Sequence, residues 1–310
     1  MPHDLAYLLQ QVINGLQLAS FYMPLAVAFA IMQSITRRIY LSFGDLAMFA
    51  SFAAVFVCFD RLVEGYGDVL AGGFGLIAAI LCGAALGHVI AAIMLGRDLL
   101  RAPLSYMIAS LGIGIALQEG MRLTSMSRDI WVPPLFSGLS LFRIEGSFPV
   151  NVTMMTAVAI AIGLAATLAA VLVLQATRFG LWWQACSQSL RLASLCGIDA
   201  DQVARWSFAL SGALAGVTGW TASISYGGAN FSIGLMVGFK AMFASVIGGF
   251  GSVRGAILGA LFLATVEVAW SAFFSTVYRD VAVFAIIILI LVLRPEGLLG
   301  LTSTRESEDT

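Results

Sequence analysis

Polar side chains recur at helical spacing inside the first apolar run of this 310-residue chain. Gln10, Asn14 and Gln17 stand at i, i+4 and i+7, so they share one face of a helix. Amide groups can hydrogen-bond a passing solute or a neighbouring helix, but they supply neither a nucleophile nor a general base. This face therefore predicts solute contact or helix pairing.

Carboxyl groups stand in three further apolar runs, "LSFGDLAMF", "GIGIALQEG" and "ATVEVAW". Ionisable groups are costly in lipid, so they indicate a solute pathway, a helix cap or a buried pair. Asp45 also suits the first turn of a helix, where a carboxylate is favourable. Glu119 suits the outer water boundary, and Glu267 lies deep in its run and needs a partner or water. The candidate pathway residues are Asn14, Gln17, Ser42, Asp45, Gln118 and Glu267, with helix pairing and capping left open for each.

Patterns typical of enzymes are missing from the sequence. It contains no G-x-x-x-x-G-K-[ST] loop to cradle a nucleotide and no G-x-S-x-G or H-E-x-x-H motif. The two histidines are isolated, and the four cysteines form no C-x-x-C pair, so we expect no metal or cofactor site. We expect the cysteines to be small buried hydrophobic residues. Transport or a structural role is left.

Composition places the chain in a membrane. It is 60% hydrophobic and 11% charged, against about a quarter charged in ordinary soluble domains. The net charge of -1 gives no bias toward nucleic acid. We predict one all-α, polytopic integral membrane domain over residues 1–300 with about 8–10 transmembrane segments, and a polar tail over 301–310. The predicted runs are 12–35, 42–59, 72–96, 104–121, 151–175, 203–224 and 255–275, with 234–250 and 280–293 less certain.

Basic residues predict the orientation. With the N-terminus outside and all nine runs crossing, the cytoplasmic side holds ten arginines and the outer side five. The cytoplasmic set is Arg37, Arg38, Arg97, Arg101, Arg178, Arg191, Arg205, Arg254, Arg294 and Arg305, and the outer set is Arg61, Arg122, Arg128, Arg143 and Arg279.

Glycines four residues apart predict where helices approach closely. They occur in "GAALG" at 83–87, "GALAG" at 212–216 and "GAILG" at 255–259. Because hydrophobic burial does not drive helices together in lipid, such spacing indicates backbone contact between helices.

The segment between Arg178 and Arg205 is too polar to span a membrane but suits a short surface helix. A transporter driven by a soluble ATPase needs such a docking element. A stand-alone channel or an ion-coupled carrier does not, and relies on intramembrane titratable groups such as Asp45 and Glu267. Both classes remain open on these residues, as does a purely structural membrane subunit.

Five segments carry a resemblance to a known family. They are "SFGDLAMF" at 42–49, "IASLGIGIALQ" at 108–118, "LASLCGIDADQVARWSFALSGALAGVTG" at 192–219, "GFKAMFASVIGGFGSVRGAILGALFLATVE" at 238–267 and "YRDVAVFAIIILILVLRPEGLLG" at 278–300. Together they resemble the permease subunits of branched-chain amino-acid (LIV-type) ABC importers, the shorter of the two permease types.

The resemblance implies a multi-pass inner-membrane permease without catalysis of its own. Its partners would be a second paralogous permease, two cytoplasmic ATPases and an extracytoplasmic solute-binding protein. The cargo would be a branched-chain or related amino acid, with urea, short amides or aromatic acids as alternative small polar solutes. Residues 184–200 would be the coupling helix, with contacts to the ATPase through Arg191, Ala193, Gly197, Ile198 and Asp199.

Two departures from the family stand out. Tyr40, Leu41, Ser42 and Phe43 replace the usual Asn-Phe-Ala-His before Gly-Asp. In the loop, Gln184 and Arg191 replace an arginine and an acidic residue. The first departure bears on the solute and the second on the ATPase contact.

Overall fold

A computed structural model describes residues 3–95, 102–132, 135, 140–144, 150–294 and 297. Over these residues it contains eleven α-helices, and each of the nine predicted apolar runs coincides with one of the longer ones. The prediction of an all-α polytopic chain is confirmed. The helices are α1 His3–Thr36, α2 Phe43–Val63, α3 Asp68–Met94, α4 Pro103–Thr124, α5 Met154–Ala176, α6 Arg178–Gln188, α7 Leu190–Leu195, α8 Ala200–Tyr226, α9 Ile233–Gly248, α10 Val253–Phe273 and α11 Arg279–Leu293.

Six segments in the described part are long and apolar enough to cross a bilayer. They are Ala6–Thr36, Phe43–Val63, Asp68–Met94, Met154–Ala176, Val253–Phe273 and Thr276–Leu293. Helices α4 and α8 have 22 and 27 residues but carry more polar side chains, and α9 is apolar over the shorter stretch Gly234–Gly248.

Two small antiparallel ribbons accompany the helices. Strand β1, Ile130–Trp131, pairs with β4, Gly228–Ala229, and so ties the chain after α4 to the end of α8. Strand β2, Ser140–Ile144, pairs with β3, Val150–Thr153. Between α4 and β3, residues 133, 134, 136–139 and 145–149 lie outside the described residues, as do the tail over 301–310 and Arg97, Arg101 and Arg305.

Helix α1 is the centre of the bundle. Its 34 residues give a length of about 50 Å, and its second half is almost wholly buried. Pro24 has no N–H to donate to the carbonyl of Ser20 one turn earlier. Gly163 of α5 lies against that carbonyl, where an added Cβ would be 2.3 Å from the oxygen. Backbone contact on α5 thus covers the defect that the proline creates.

The glycine pairs bring helix backbones together as predicted. A Cβ on Gly83 of α3 would lie 2.3 Å from the carbonyl oxygen of Gly212 of α8, and one on Gly212 would lie 2.1 Å from that of Gly83. Gly259 of α10 makes a similar approach to Ala244 of α9. These contacts fix the two helix pairs at a distance that larger residues exclude.

The expectation for the cysteines is only partly correct. Cys58 and Cys186 are buried, but Cys196 is exposed after α7. It lies in the turn that precedes Gly197, where the chain faces water.

Candidate functional site

Helix α2 begins inside the bundle. After α1 ends, residues 37–42 are not helical, and Tyr40 and Ser42 are 0% and 1% exposed. The Ser42 hydroxyl and the Asp45 carboxylate lie against Gly114, which is in the middle of α4. The N-terminus of α2 therefore lies beside the middle of α4, and Asp45 lies in the first turn of α2, as one interpretation of the sequence predicts.

Helix α9 begins beside the start of α2. A Cβ on Gly44 would lie 1.8 Å from the carbonyl oxygen of Gly234, and one on Gly234 would lie 2.6 Å from Oδ1 of Asp45. We call the meeting point of the two helix starts, formed by Tyr40, Ser42, Gly44, Asp45 and Gly234, the junction. Helix N-termini carry partial positive charge, so a carboxylate between two of them is electrostatically favourable.

Three hydroxyl groups near the junction are buried without a hydrogen-bond partner in the part of the chain that the structure describes. They belong to Tyr40, Ser42 and Tyr106. Tyr40 and Tyr106 are both 0% exposed, and Ser42 is 1% exposed. Buried polar groups normally have partners, so such a cluster indicates a place that receives water or a ligand.

A cavity of about 70 Å³ adjoins the junction. Gly44 and Gly234 form its inner wall, Ala47 and Met48 of α2 line one side, and Asn230 stands at the end near β4. The cavity thus extends from the start of α2 to the residues that join α8 to α9.

Glu267 belongs to a separate buried ion network. Its carboxylate is 2.8 Å from Nζ of Lys240 and accepts a 2.8 Å hydrogen bond from the Tyr22 hydroxyl. Lys240 Nζ is also 2.9 Å from Oδ1 of Asp280, and Arg279 Nε is 3.2 Å from the Glu267 carboxylate. Two cations and two anions make the network neutral overall, which supplies the partner that Glu267 needs.

The other predicted pathway residues lie elsewhere. Asn14 and Gln17 are half-buried on α1, and Oδ1 of Asn14 accepts a 3.1 Å hydrogen bond from Gln10. Gln118 is half-buried on α4, and the neighbouring Glu119 is exposed and accepts a 2.8 Å bond from Nε of Arg122. Of the six candidates, the structure brings Ser42 and Asp45 together at the junction.

The segment predicted as one coupling helix over 184–200 contains parts of two helices, so the prediction of a single helix is wrong. Helix α6 ends at Gln188, and Ser189 is extended and caps α7 by accepting from the N–H of Leu192. Because an N-cap residue has an extended and not a helical backbone, Ser189 also ends α6. Helix α7 ends at Leu195, Gly197 in the turn after it has φ +82°, and Oδ1 of Asp199 caps α8 by accepting a 3.1 Å hydrogen bond from the N–H of Gln202.

Ala193 was expected to contact the ATPase, but its side chain packs against other residues of this chain. It is 4% exposed and packs with Ile35, Cys186, Val203 and Ala204. A six-residue helix shows one apolar face to its own bundle, and the small alanine lets α7 approach closely.

Three leucines take the outward position instead. Leu190, Leu192 and Leu195 are 40%, 64% and 78% exposed beside the exposed Arg191 and Gly197, while Ile198 is half-buried. The spacing of Leu192 and Leu195 on a polar segment was the signal that sequence reasoning overlooked.

Arg37, the first residue after α1, contacts the coupling segment. It has a left-handed φ of +50°, and its guanidinium donates to the carbonyls of Ser187 and Gln188 at 3.0 and 2.8 Å. These are the last carbonyls of α6. Trp183 adds a 3.1 Å bond from Nε1 to the carbonyl of Ile31 in α1. The end of α1 and the coupling segment therefore lie at the same end of the bundle, as the predicted orientation requires.

Comparison with known proteins adds the family. Residues 11–292 match the family described as branched-chain amino acid transport system / permease component. The high-affinity branched-chain amino acid transport system permease protein LivH of Salmonella typhimurium, and that of Escherichia coli K12, are each 34% identical over 303 residues, which is 97% of this chain and 98% of the relative. The permease protein BraD of Pseudomonas aeruginosa is 29% identical over 301 residues, again 97% of this chain and 98% of the relative. With its apolar helices, the chain is a multi-pass inner-membrane protein, and it belongs to the family of permease components of branched-chain amino acid transport systems.

Proposed function

We propose that this chain is the permease subunit of an ATP-driven importer that moves branched-chain or related amino acids across the inner membrane. The observation that carries the proposal is the match to LivH over 97% of this chain and 98% of the relative. A permease of this kind is not an enzyme. ATP hydrolysis would be performed by two separate cytoplasmic ATPases, with a second paralogous permease and a solute-binding protein completing the assembly.

The surface offered to the ATPases is formed by α6, α7 and the turn before α8. Exposed Leu192 and Leu195 on a polar segment suit insertion into a partner groove, since exposed apolar clusters with a polar rim are typical of protein interfaces. Arg191, Gly197, Ile198 and Asp199 surround them, and Ala193 supports α7 from beneath.

A groove of about 510 Å³ lies beside this surface, between the end of α1 and the break at Ser189. Arg37, Arg38 and Gln188 line it with polar groups. An ATPase segment seated there would touch both α7 and the residues that lead to the junction.

The solute pathway would pass the junction, with Ser42 and Asp45 as its polar contacts. Asn14, Gln17 and Gln118 are further candidates where α1 and α4 expose half-buried amides. Glu267 is the weakest candidate because Lys240 and Tyr22 already occupy its carboxylate. The same pairing weakens the alternative of an ion-coupled carrier, which needs a titratable group free to exchange its cation.

The test is uptake into proteoliposomes that contain this chain with its co-purified partners. Radiolabelled leucine is supplied outside with the binding protein, with and without internal ATP, and is competed by urea, short amides and aromatic acids. We expect uptake that depends on ATP and is competed by other branched-chain amino acids. ATP-dependent uptake of a competitor in place of leucine would retain the mechanism and reject the solute, and ATP-independent flux would reject the importer.

A further inference from the structure

The junction presents groups of both signs in the buried interior of the helix bundle. Asp45 is 4% exposed and offers carboxylate oxygens, and the first turns of α2 and α9 offer backbone N–H groups that helices leave unpaired at their starts. The Ser42 hydroxyl, 1% exposed, accompanies them without a hydrogen-bond partner among the described residues. Hydrogen-bond donors and an acceptor thus lie together in the protein interior, where such groups normally have partners.

The overall charge of the junction is close to zero. In the described part of the chain no cationic side chain pairs with Asp45, whose two oxygens face the backbones of Gly114 and Gly234. Each helix start carries about half a positive charge, so two of them balance one carboxylate. A free anion or cation bound here would leave a net charge in lipid. A zwitterion would not, because it is neutral overall and displays both signs.

The adjoining cavity is suited to an aliphatic side chain. Its wall next to the junction consists of Gly44, Ala47, Met48, Gly234 and Val237, which present mainly apolar surface. Solute pockets commonly combine such a wall with a few placed polar groups. The backbones of Gly44 and Gly234 are in contact and separate the polar groups of the junction from the apolar cavity, so a small displacement of α9 from α2 would let one small molecule contact both.

We propose that the junction is a binding site for the zwitterionic head group of an α-amino acid, an inference that rests on the proposed import of amino acids. Asp45 accepts hydrogen bonds from the α-ammonium group. The hydroxyls of Ser42 and Tyr40 and the N–H groups of the first turn of α2 donate to the α-carboxylate, and the side chain enters the cavity.

Helix α4 closes this site in the present structure. A Cβ on Gly114 would lie 2.4 Å from Oδ2 of Asp45 and 2.7 Å from Oγ of Ser42, so the helix backbone covers both groups. Solute therefore reaches Asp45 when α4 moves away. On the opposite face of α4, Gly112 and Gly120 have no neighbour among the described residues within 4 Å of an added Cβ, so no described helix of this chain packs there to block that movement.

Thermal stability of the purified transporter complex tests the head-group site without the solute-binding protein, because a ligand that binds the folded state raises Tm. The probes are leucine, isocaproate, which lacks the ammonium group, and isoamylamine, which lacks the carboxylate. We expect leucine to raise Tm at millimolar concentration and the two analogues to have little effect. Asp45→Asn should abolish the leucine effect, and Asp60→Asn, on the exposed end of the same helix, should retain it.

Two milder variants guard against misfolding of Asp45→Asn. Ser42→Ala and Tyr40→Phe remove hydroxyls that make no hydrogen bond within the described protein, so Tm without ligand should be unchanged. The leucine concentration for half the effect should rise about tenfold, the usual consequence of one lost hydrogen bond. Tyr22→Phe is the matched control, since it removes the bond to Glu267 and should lower Tm without changing leucine dependence.

Three results would overturn the site. They are equal protection by leucine and its analogues, wild-type leucine dependence in both Ser42→Ala and Tyr40→Phe, and no leucine effect in a complex that imports leucine with ATP. Each of them leaves the proposed function intact, because that function is judged by uptake alone.

Discussion

At the scale of single residues, charge neutrality decides which buried groups the membrane tolerates. Lys240 and Glu267 are 4% and 2% exposed and lie 2.8 Å apart, so each supplies the charge that the other requires. Asp45 has no such cation and is placed between two helix starts instead. Both carboxylates were pathway candidates in the sequence, but the fold gives Glu267 a salt bridge and places Asp45 between two helix starts.

Removing the cation of the network should destabilise the protein strongly. In Lys240→Met the Glu267 carboxylate loses its closest positive charge while buried, and breaking a buried pair in this way costs about 3–5 kcal/mol. Thermal denaturation in detergent should therefore show a clear fall in Tm.

Combining Lys240→Met with Glu267→Gln should recover much of that loss because neutrality returns. Glu119→Gln, which opens an exposed pair with Arg122, serves as the control and should change little. A double variant no more stable than Lys240→Met would contradict the charge argument.

At the scale of elements, backbone contact between helices sets the tolerance to added side chains. Where α3 and α8 cross, the Cα of Gly83 faces the carbonyl of Gly212 and the Cα of Gly212 faces the carbonyl of Gly83, whereas an added Cβ on Gly112 of α4 has no described neighbour within 4 Å. Gly212 of α8 thus allows two helices to approach closely, whereas Gly112 of α4 has no such contact with a described residue.

Gly212→Ala should destabilise the bundle, since its Cβ would lie 2.1 Å from the carbonyl oxygen of Gly83. Overpacking of this kind costs about 1–3 kcal/mol. Gly112→Ala adds the same methyl group in open space and should not lower Tm. The measurement is Tm of the monodisperse protein in detergent, and equal Tm values for the two variants would refute the close approach of α3 and α8.

The contact between α1 and α6 should transmit movement of the coupling segment. Arg37→Gly removes the guanidinium that donates to Ser187 and Gln188 but keeps a residue suited to φ +50°. ATP hydrolysis by the complex should persist while leucine uptake per ATP falls several-fold.

Arg254→Ala is the control, because that exposed arginine has no hydrogen bond or ion pair among the described contacts. An uptake-to-hydrolysis ratio that stays normal in Arg37→Gly would show that Arg37 only closes the end of α6.

At the scale of the whole molecule, one end of the bundle carries the coupling segment and the other carries the two ribbons. Arg37 contacts α6 at the first end, and β1 pairs with β4 at the second. The excess of arginines predicts that the first end faces the cytoplasm.

Cys196 reports this orientation without mutation, since it is exposed while Cys58 and Cys186 are buried. In membranes lacking the partner ATPases, a membrane-impermeant maleimide should label it in inside-out vesicles and not in right-side-out vesicles. Arg128→Cys in a Cys196→Ser background should show the opposite pattern, because Arg128 follows α4 at the other end. Labelling of Cys196 from outside would reverse the topology.

Elements with local signals could be predicted from the amino-acid sequence. Apolar runs of membrane length set where the longer helices lie, and Asp199 and Gly197 set a helix start and a turn, because cap chemistry and φ preference act over a few residues. The glycine spacing likewise identified the faces of α3 and α8 that meet. The break at Ser189 was missed, although serine is a capping residue, since the surrounding segment is helix-compatible throughout.

Contacts between groups far apart in the chain could not be predicted and became visible in the folded bundle. Gly44, Gly114 and Gly234 converge on Asp45 from three helices, and Lys240 finds Glu267 across 27 residues of chain. Ala193 turned inward and Leu192 outward for the same reason, because the direction of a short helix face depends on the bundle beneath it. Such contacts follow from how backbones approach each other in three dimensions, and no local spacing along the chain encodes that approach.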